Sequence, residues 1–145
     1  MRSKAPEQGG LRLFPRAWPR RLGAHDKLNV VDRQGFRHGI ELFNRGEFFE
    51  AHEVLEDVWR AAPAEQKLFL QGMIQVAVGL HHYRSGNRAG AQSVLARAAR
   101  NLARPPADRA GVDVEALREA ALRWSEALAR GEPVPELPLI HLRSS

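Results

Sequence analysis

Between Ala64 and Arg84 the chain offers almost no polar side that a helix could turn to water. Leu68, Phe69, Leu70, Met73, Ile74, Val76, Ala77, Val78 and Leu80 occupy nearly every angle of a helical wheel. A helix that is apolar all round has to be enclosed by other elements. The segment is close to the length that spans a bilayer. Gln71, Gln75, His81 and His82 interrupt it, however, and argue for a protein core rather than lipid. Gly72 and Gly79, seven residues apart, line up on one side and admit a close helical neighbour.

The rest of the chain supplies that enclosure. Phe36, Ile40 and Phe43 repeat at helical spacing, and Asn44-Arg45-Gly46 reads as a C-terminal stop. A second helix is predicted from about Glu47 to Arg60, followed by the short turn Ala61-Ala62-Pro63. After Ser85-Gly86-Asn87 a fourth helix carries Ala91, Val94, Leu95, Ala98 and Leu102 on one stripe, and Arg104-Pro105-Pro106 ends it. Asp113 is a candidate N-cap for a fifth, with Val114, Leu117, Ala121, Trp124 and Leu128 facing inward. Gly131, Pro133, Pro135 and Pro138 close the helical region. The expectation is an all-α compact bundle of about five helices, with a flexible basic arm over 1–33, a helical domain over 34–131 and an extended, Pro-rich segment over 132–145 that packs back on the bundle.

An internal repeat appears at an offset of forty. Phe43/Tyr83, Gly46/Gly86, Ala51/Ala91, Val54/Val94, Leu55/Leu95 and Arg60/Arg100 correspond. Each copy is a helix, a Gly turn and a second helix, so the bundle is expected to rest on two αα-hairpins. Their local packing is tetratricopeptide-like, although the period is too long for that family and two hairpins are too few for an array. The chemistry is not repeated. His52 becomes Gln92, Glu53 becomes Ser93, Glu56 becomes Ala96 and Trp59 becomes Ala99.

The charge balance is uneven. Residues 1–38 carry nine Lys/Arg against three Asp/Glu, whereas 39–145 carry thirteen against fourteen. The basicity therefore belongs to the arm, through which alone contact with nucleic acid is expected. Phe14 and Trp18 are too few for a base-stacking platform. The chain has no cysteine, which excludes disulfides, thiolate chemistry and cysteine zinc sites and fits a cytoplasmic location.

Candidate chemistry concentrates in Phe48-Phe49-Glu50-Ala51-His52-Glu53-Val54-Leu55-Glu56-Asp57-Val58-Trp59-Arg60. On a helix, Phe48, His52, Leu55 and Trp59 share a face, with Glu56 at its edge. Burying His52 and Glu56 is costly unless they find partners. A metal, a substrate or another side chain would each serve. Pairing the second and third helices as antiparallel neighbours puts His52 level with about Met73, so Gln71 and Gln75 are expected beside it. Gln71, Gln75, Val78 and His82 share a face of the third helix, but His82 is roughly 13 Å further along the axis. His52 and Glu56 at i, i+4 could hold a divalent metal, with Glu53 as the catalytic base. The pattern is His-Glu-x-x-Glu, not the His-Glu-x-x-His of zinc proteases, and it lacks the Glu-x-x-His units of di-iron bundles. Alternatively the imidazole, the carboxylate and the two amides form a buried network that fixes helix register. Trp59 then serves as core or pocket wall.

The stretches 42–60 and 70–82, with the Gly86-Asn87 turn and Ala91, resemble the domain of unknown function 309 family. The resemblance runs from about Phe36 to Leu102. It implies a small all-α prokaryotic domain with no established activity, suspected of metal-dependent hydrolysis. His52, Glu53, Glu56, Gln71, Gln75 and His82 match its characteristic polar positions. Two functions follow as expectations: a divalent-metal-dependent hydrolase on the His-Glu-x-x-Glu helix, or a non-enzymatic helical-hairpin module. No membrane span is expected. A homo-oligomer, a protein segment or a small molecule would each fit such a module as partner.

Overall fold

The computed structural model describes residues 32–143. The expectations for the basic arm fall on residues 1–31, outside the described residues. Five helices follow: α1 (Arg33–Asn44), α2 (Phe48–Ala61), α3 (Ala64–Arg84), α4 (Arg88–Asn101) and α5 (Val114–Arg130). The main packing runs in chain order, α1 on α2, α2 on α3, α3 on α4 and α4 on α5. The all-α bundle is thus formed, with α3 at its centre. Every residue of α3 from Gly72 to Leu80 is buried. Gln71, on its rim, is half-buried, and Leu68 is exposed. No helix among the described residues is long and apolar enough to cross a membrane.

Local chemistry sets the helix ends. The side chains of Asp32, Asn87 and Asp113 each accept a hydrogen bond from the backbone N–H three residues on, capping α1, α4 and α5. Gly46 and Gly86 both adopt φ near +85°, at +83° and +86°, where a side chain would be strained. Around them the two turns make matching bonds. Gly46 N–H donates to Phe43 O and Glu47 N–H to Leu42 O; Gly86 N–H donates to Tyr83 O and Asn87 N–H to His82 O. The offset of forty is therefore a structural repeat of the turn.

It is also a repeat of the packing. A Cβ on Gly39 would meet Leu55 at 2.6 Å, and a Cβ on Gly79 would meet Leu95 at 2.6 Å. Both leucines are fully buried. In each hairpin a leucine of the second helix lies directly on a glycine of the first. Gly72 repeats the device within α3, receiving Leu102 at 2.8 Å from its hypothetical Cβ. The close neighbour admitted by Gly72 and Gly79 is thus α4.

Beyond α5 the chain turns at Gly131 (φ +67°) and continues without helix. Ile140 is buried in the core and Val134 packs against it. The Asn44 side chain holds Ile140 at both backbone atoms, Nδ2 donating to Ile140 O at 3.0 Å and Oδ1 accepting from Ile140 N–H at 2.7 Å. Trp124 Nε1 donates to Glu136 O. Asp113 N–H donates to His141 O, and Arg143 N–H to Gly111 O. This strap ties the end of α1 to α5 and the loop before it.

Replacing Gly39 or Gly79 by Ala should lower stability. Helix propensity favours Ala by about 1 kcal/mol. Overpacking against a leucine with nowhere to move costs about 1–3 kcal/mol. The net effect expected is a fall in the urea midpoint for each variant; an unchanged or raised midpoint would show that the helices can part freely.

Candidate functional site

His52 lies on the side of α2 that meets α3, one turn after Phe49 and one before Glu56. Its Nδ1 is 2.7 Å from Phe49 O. A carbonyl only accepts, so Nδ1 carries the proton and Nε2 holds the lone pair. Nε2 faces Glu56 Oε2 at 3.8 Å, beyond hydrogen-bond length. Both side chains are mostly covered, at 14% and 17% exposure. Burial lowers the His52 pKa, and the neighbouring His81 adds to this, while the Phe49 carbonyl and Glu53 oppose it. Burial also pushes Glu56 up to about 7, despite the counter-pull of Arg60. Near neutrality the imidazole is thus mainly neutral while the Glu56 carboxyl is in mid-titration, so the two do not form a fixed ion pair.

The expected partners on α3 are not the ones observed. Gln75 is turned to α4, where its Oε1 accepts from Asn101 Nδ2 at 2.7 Å. Among the described residues no hydrogen bond joins His52 to Gln71 or Gln75. The residue that α3 brings to the His52 edge is His81, whose ring lies 5.3 Å from that of Phe49; Phe49 in turn lies 4.9 Å from His52. The reason is geometric. Helical side chains lean toward their own N-terminus. In an antiparallel pair the two leans are opposed, so side chains meet across residues whose Cα atoms are not level. Level Cα counting puts Phe49 beside about residue 76, whereas its ring reaches His81.

His82, whose ring lies 6.4 Å from that of His81, has its Nδ1 3.5 Å from Asn87 Nδ2. Burial, and then His81, lower the His82 pKa. Trp59 is half-buried against the core edge, with the Lys67 ammonium 4.2 Å over its ring. Lys67 Nζ also donates to the carbonyls of Trp59 and Arg60, closing the C-terminus of α2. Burial lowers the Lys67 pKa.

As a metal site, the His52 Nε2 and Glu56 Oε2 atoms form a two-donor pair on one helix. Glu53, one residue from His52, is exposed. No group of three or more His, Cys, Asp or Glu among the described residues is placed to hold a metal. The donor set is therefore short of the three protein ligands usual at a catalytic zinc.

Two residues at this surface escaped the motif reading. Phe49, 45% exposed, is the outermost large ring on α2. Its position three before His52 placed it on the same edge. His81 lies in the last turn of α3, outside the His-Glu-x-x-Glu segment, and meets α2 through the Phe49 ring.

Glu56 gives a pH signature. Its folded pKa, about 7, lies above the ordinary value of 4.5. The folded chain binds this proton more tightly, so the contribution is complete below about pH 4.5 and lost as pH rises through about 7. His52 has the opposite sign, its contribution being present above the ordinary 6.5 and lost as pH falls through its lowered folded value. Glu56→Gln removes only the first effect. Its stability relative to the wild type should rise between about pH 5 and about pH 8, by about 1–3 kcal/mol. A difference that stays flat across this range in parallel thermal melts would mean that Glu56 is ionised in the fold.

Comparison with known proteins agrees with the helical pattern. Residues 36–94 match DUF309, a domain of unknown function. The matched span covers most of α1, all of α2 and α3 and the first half of α4. An uncharacterized protein, YpuF, of Bacillus subtilis (strain 168) is 39% identical over 64 residues, covering 43% of this chain and 37% of YpuF. An uncharacterized protein of Aquifex aeolicus (strain VF5) is 32% identical over 77 residues, covering 52% of this chain and 23% of that protein. The chain spans well under half the length of either relative.

Proposed function

We propose that this DUF309-matching domain is a non-enzymatic helical-hairpin module that binds a protein segment through the outer edge of α2. The observation that carries this reading is the Phe49 ring. It is large, apolar and 45% exposed, and it stands between the His52 and His81 rings on a well-packed helix pair. An aromatic ring held in one orientation gives contact area at little ordering cost, which suits an interface anchor. The His52 imidazole beside it is engaged by the fold itself, through the Phe49 carbonyl. Tetratricopeptide-like packing of the two hairpins and a cytoplasmic setting, favoured by the cysteine-free sequence, are part of the same reading.

The test is capture of a partner from the source cell, followed by reconstitution with that partner purified. Phe49→Ala should weaken the reconstituted complex by about 10-fold or more, as hot-spot truncations do. Its melting temperature should stay near the wild-type value, because the ring is half outside the core. Equal affinity of the two proteins would move the interface elsewhere.

The facing His52 Nε2 and Glu56 Oε2 atoms favour a second reading, a divalent-metal-dependent hydrolase with Glu53 as general base. Under it, zinc, manganese, nickel or iron(II) should raise the wild-type melting temperature by mass action, and His52→Ala should abolish the response. A midpoint unmoved by excess metal leaves the binding module as the sole reading.

A further inference from the structure

Among the described residues, every hydrogen bond that fixes the strap over residues 132–143 uses its backbone. Asn44 takes the N–H and the carbonyl of Ile140, the Trp124 indole takes the carbonyl of Glu136, Asp113 N–H takes that of His141, and Gly111 O accepts from Arg143 N–H. One aliphatic side chain, Ile140, is fully inserted in the core, and Val134 packs against that core partly buried. The other large side chains point away, with Leu137, Leu139 and Leu142 exposed at 47%, 51% and 41%. A side-chain amide that pairs with both polar atoms of one extended residue reads chain direction, not side-chain identity. Pro133, Pro135 and Pro138 stiffen the segment, which reduces the entropy lost when it docks. The strap also lies outside the residues that match the family model, which end at 94.

We propose that Asn44, Trp124 and the Gly111–Asp113 backbone form a binding site for extended, proline-interrupted peptide segments with one aliphatic anchor, and that residues 132–143 occupy it as a displaceable internal ligand. Covalent attachment gives the strap an effective concentration in the millimolar range, so a competing peptide gains entry only when the strap is loosened. The site is separate from the Phe49 edge, and its fate does not depend on that reading.

Two measurements test this. Native-state hydrogen exchange on the full chain compares the Ile140 amide, bonded to Asn44, with the Ile74 amide inside α3. A displaceable strap opens below the global unfolding free energy, so Ile140 should exchange about 100-fold or more faster than Ile74. Exchange of both amides at one rate would make the strap an integral part of the core and overturn the proposal. The second measurement uses the full-length Ile140→Gly variant, checked for helix content, and a fluorescent synthetic peptide of residues 132–145. The variant should bind the peptide about 10-fold or more tighter than the wild type does, and adding Asn44→Ala should remove that binding. No binding to folded variant, or binding indifferent to Asn44→Ala, overturns the proposal. If Ile140→Gly does not fold, the exchange comparison decides alone.

Discussion

The structure depends on leucine seated on glycine. Leu55 lies on Gly39 and Leu95 on Gly79, at distances that leave no room for even one methyl group. Each contact fixes how deeply two helices interlock, and with it the register of a hairpin. Because α3 receives Leu95 and Leu102 on Gly79 and Gly72, the face it gives to α4 is set. Gln75 lies three residues after Gly72 and four before Gly79, so it shares that face and must find its partner on α4. Asn101 supplies it. The placement of one buried amide thus follows from two glycines.

The same contact explains what could be read from the sequence. Helix positions depend on local signals, and these were explicit: the apolar run of α3, the Gly46 and Gly86 turns, and the Asp113 cap. The candidate site depends on which faces meet, a relation between distant residues. Helical periodicity places Gln71, Gln75, Val78 and His82 on one side of α3. It did not say whether α2 or α4 lay on that side, and α2 was assumed. Gly72 and Gly79 flank Gln75 on the helix, and it is α4 that they receive. The second loss was the lean of side chains, which brought His81 rather than Gln75 to the His52 edge.

The polar residues of the His52 segment are therefore divided among separate tasks. His52 bonds to its own helix, Gln75 bonds across to α4, and His82 lies near Asn87 at the far turn. Burial drives His52 and Glu56 in opposite directions, each toward its neutral form. Two groups drawn toward neutrality at 3.8 Å cost the fold less than an unpaired buried charge would. The pair is compatible with a stable core without any third group. Its chemical interest lies in the Nε2 lone pair, left available by the Phe49 carbonyl.

The repeat shows how the hairpins are joined. Residue 84, equivalent to 44 in the other copy, is Arg84. Its guanidinium donates twice to Gly46 O at 2.7 Å and covers the Phe48 ring, so the second hairpin's turn is fastened to the first. At residue 44 the first hairpin carries Asn44 in place of the arginine. Asn44 grips the strap instead. One position in the repeat is thus used twice to reach a neighbour, with the side chain matched to what it meets. A guanidinium suits a single carbonyl at a turn, whereas an amide, with one donor and one acceptor side by side, suits the N–H and C=O of an extended chain. The asparagine is the residue type that an extended ligand requires, and that choice separates the first hairpin from the second as clearly as His52 does.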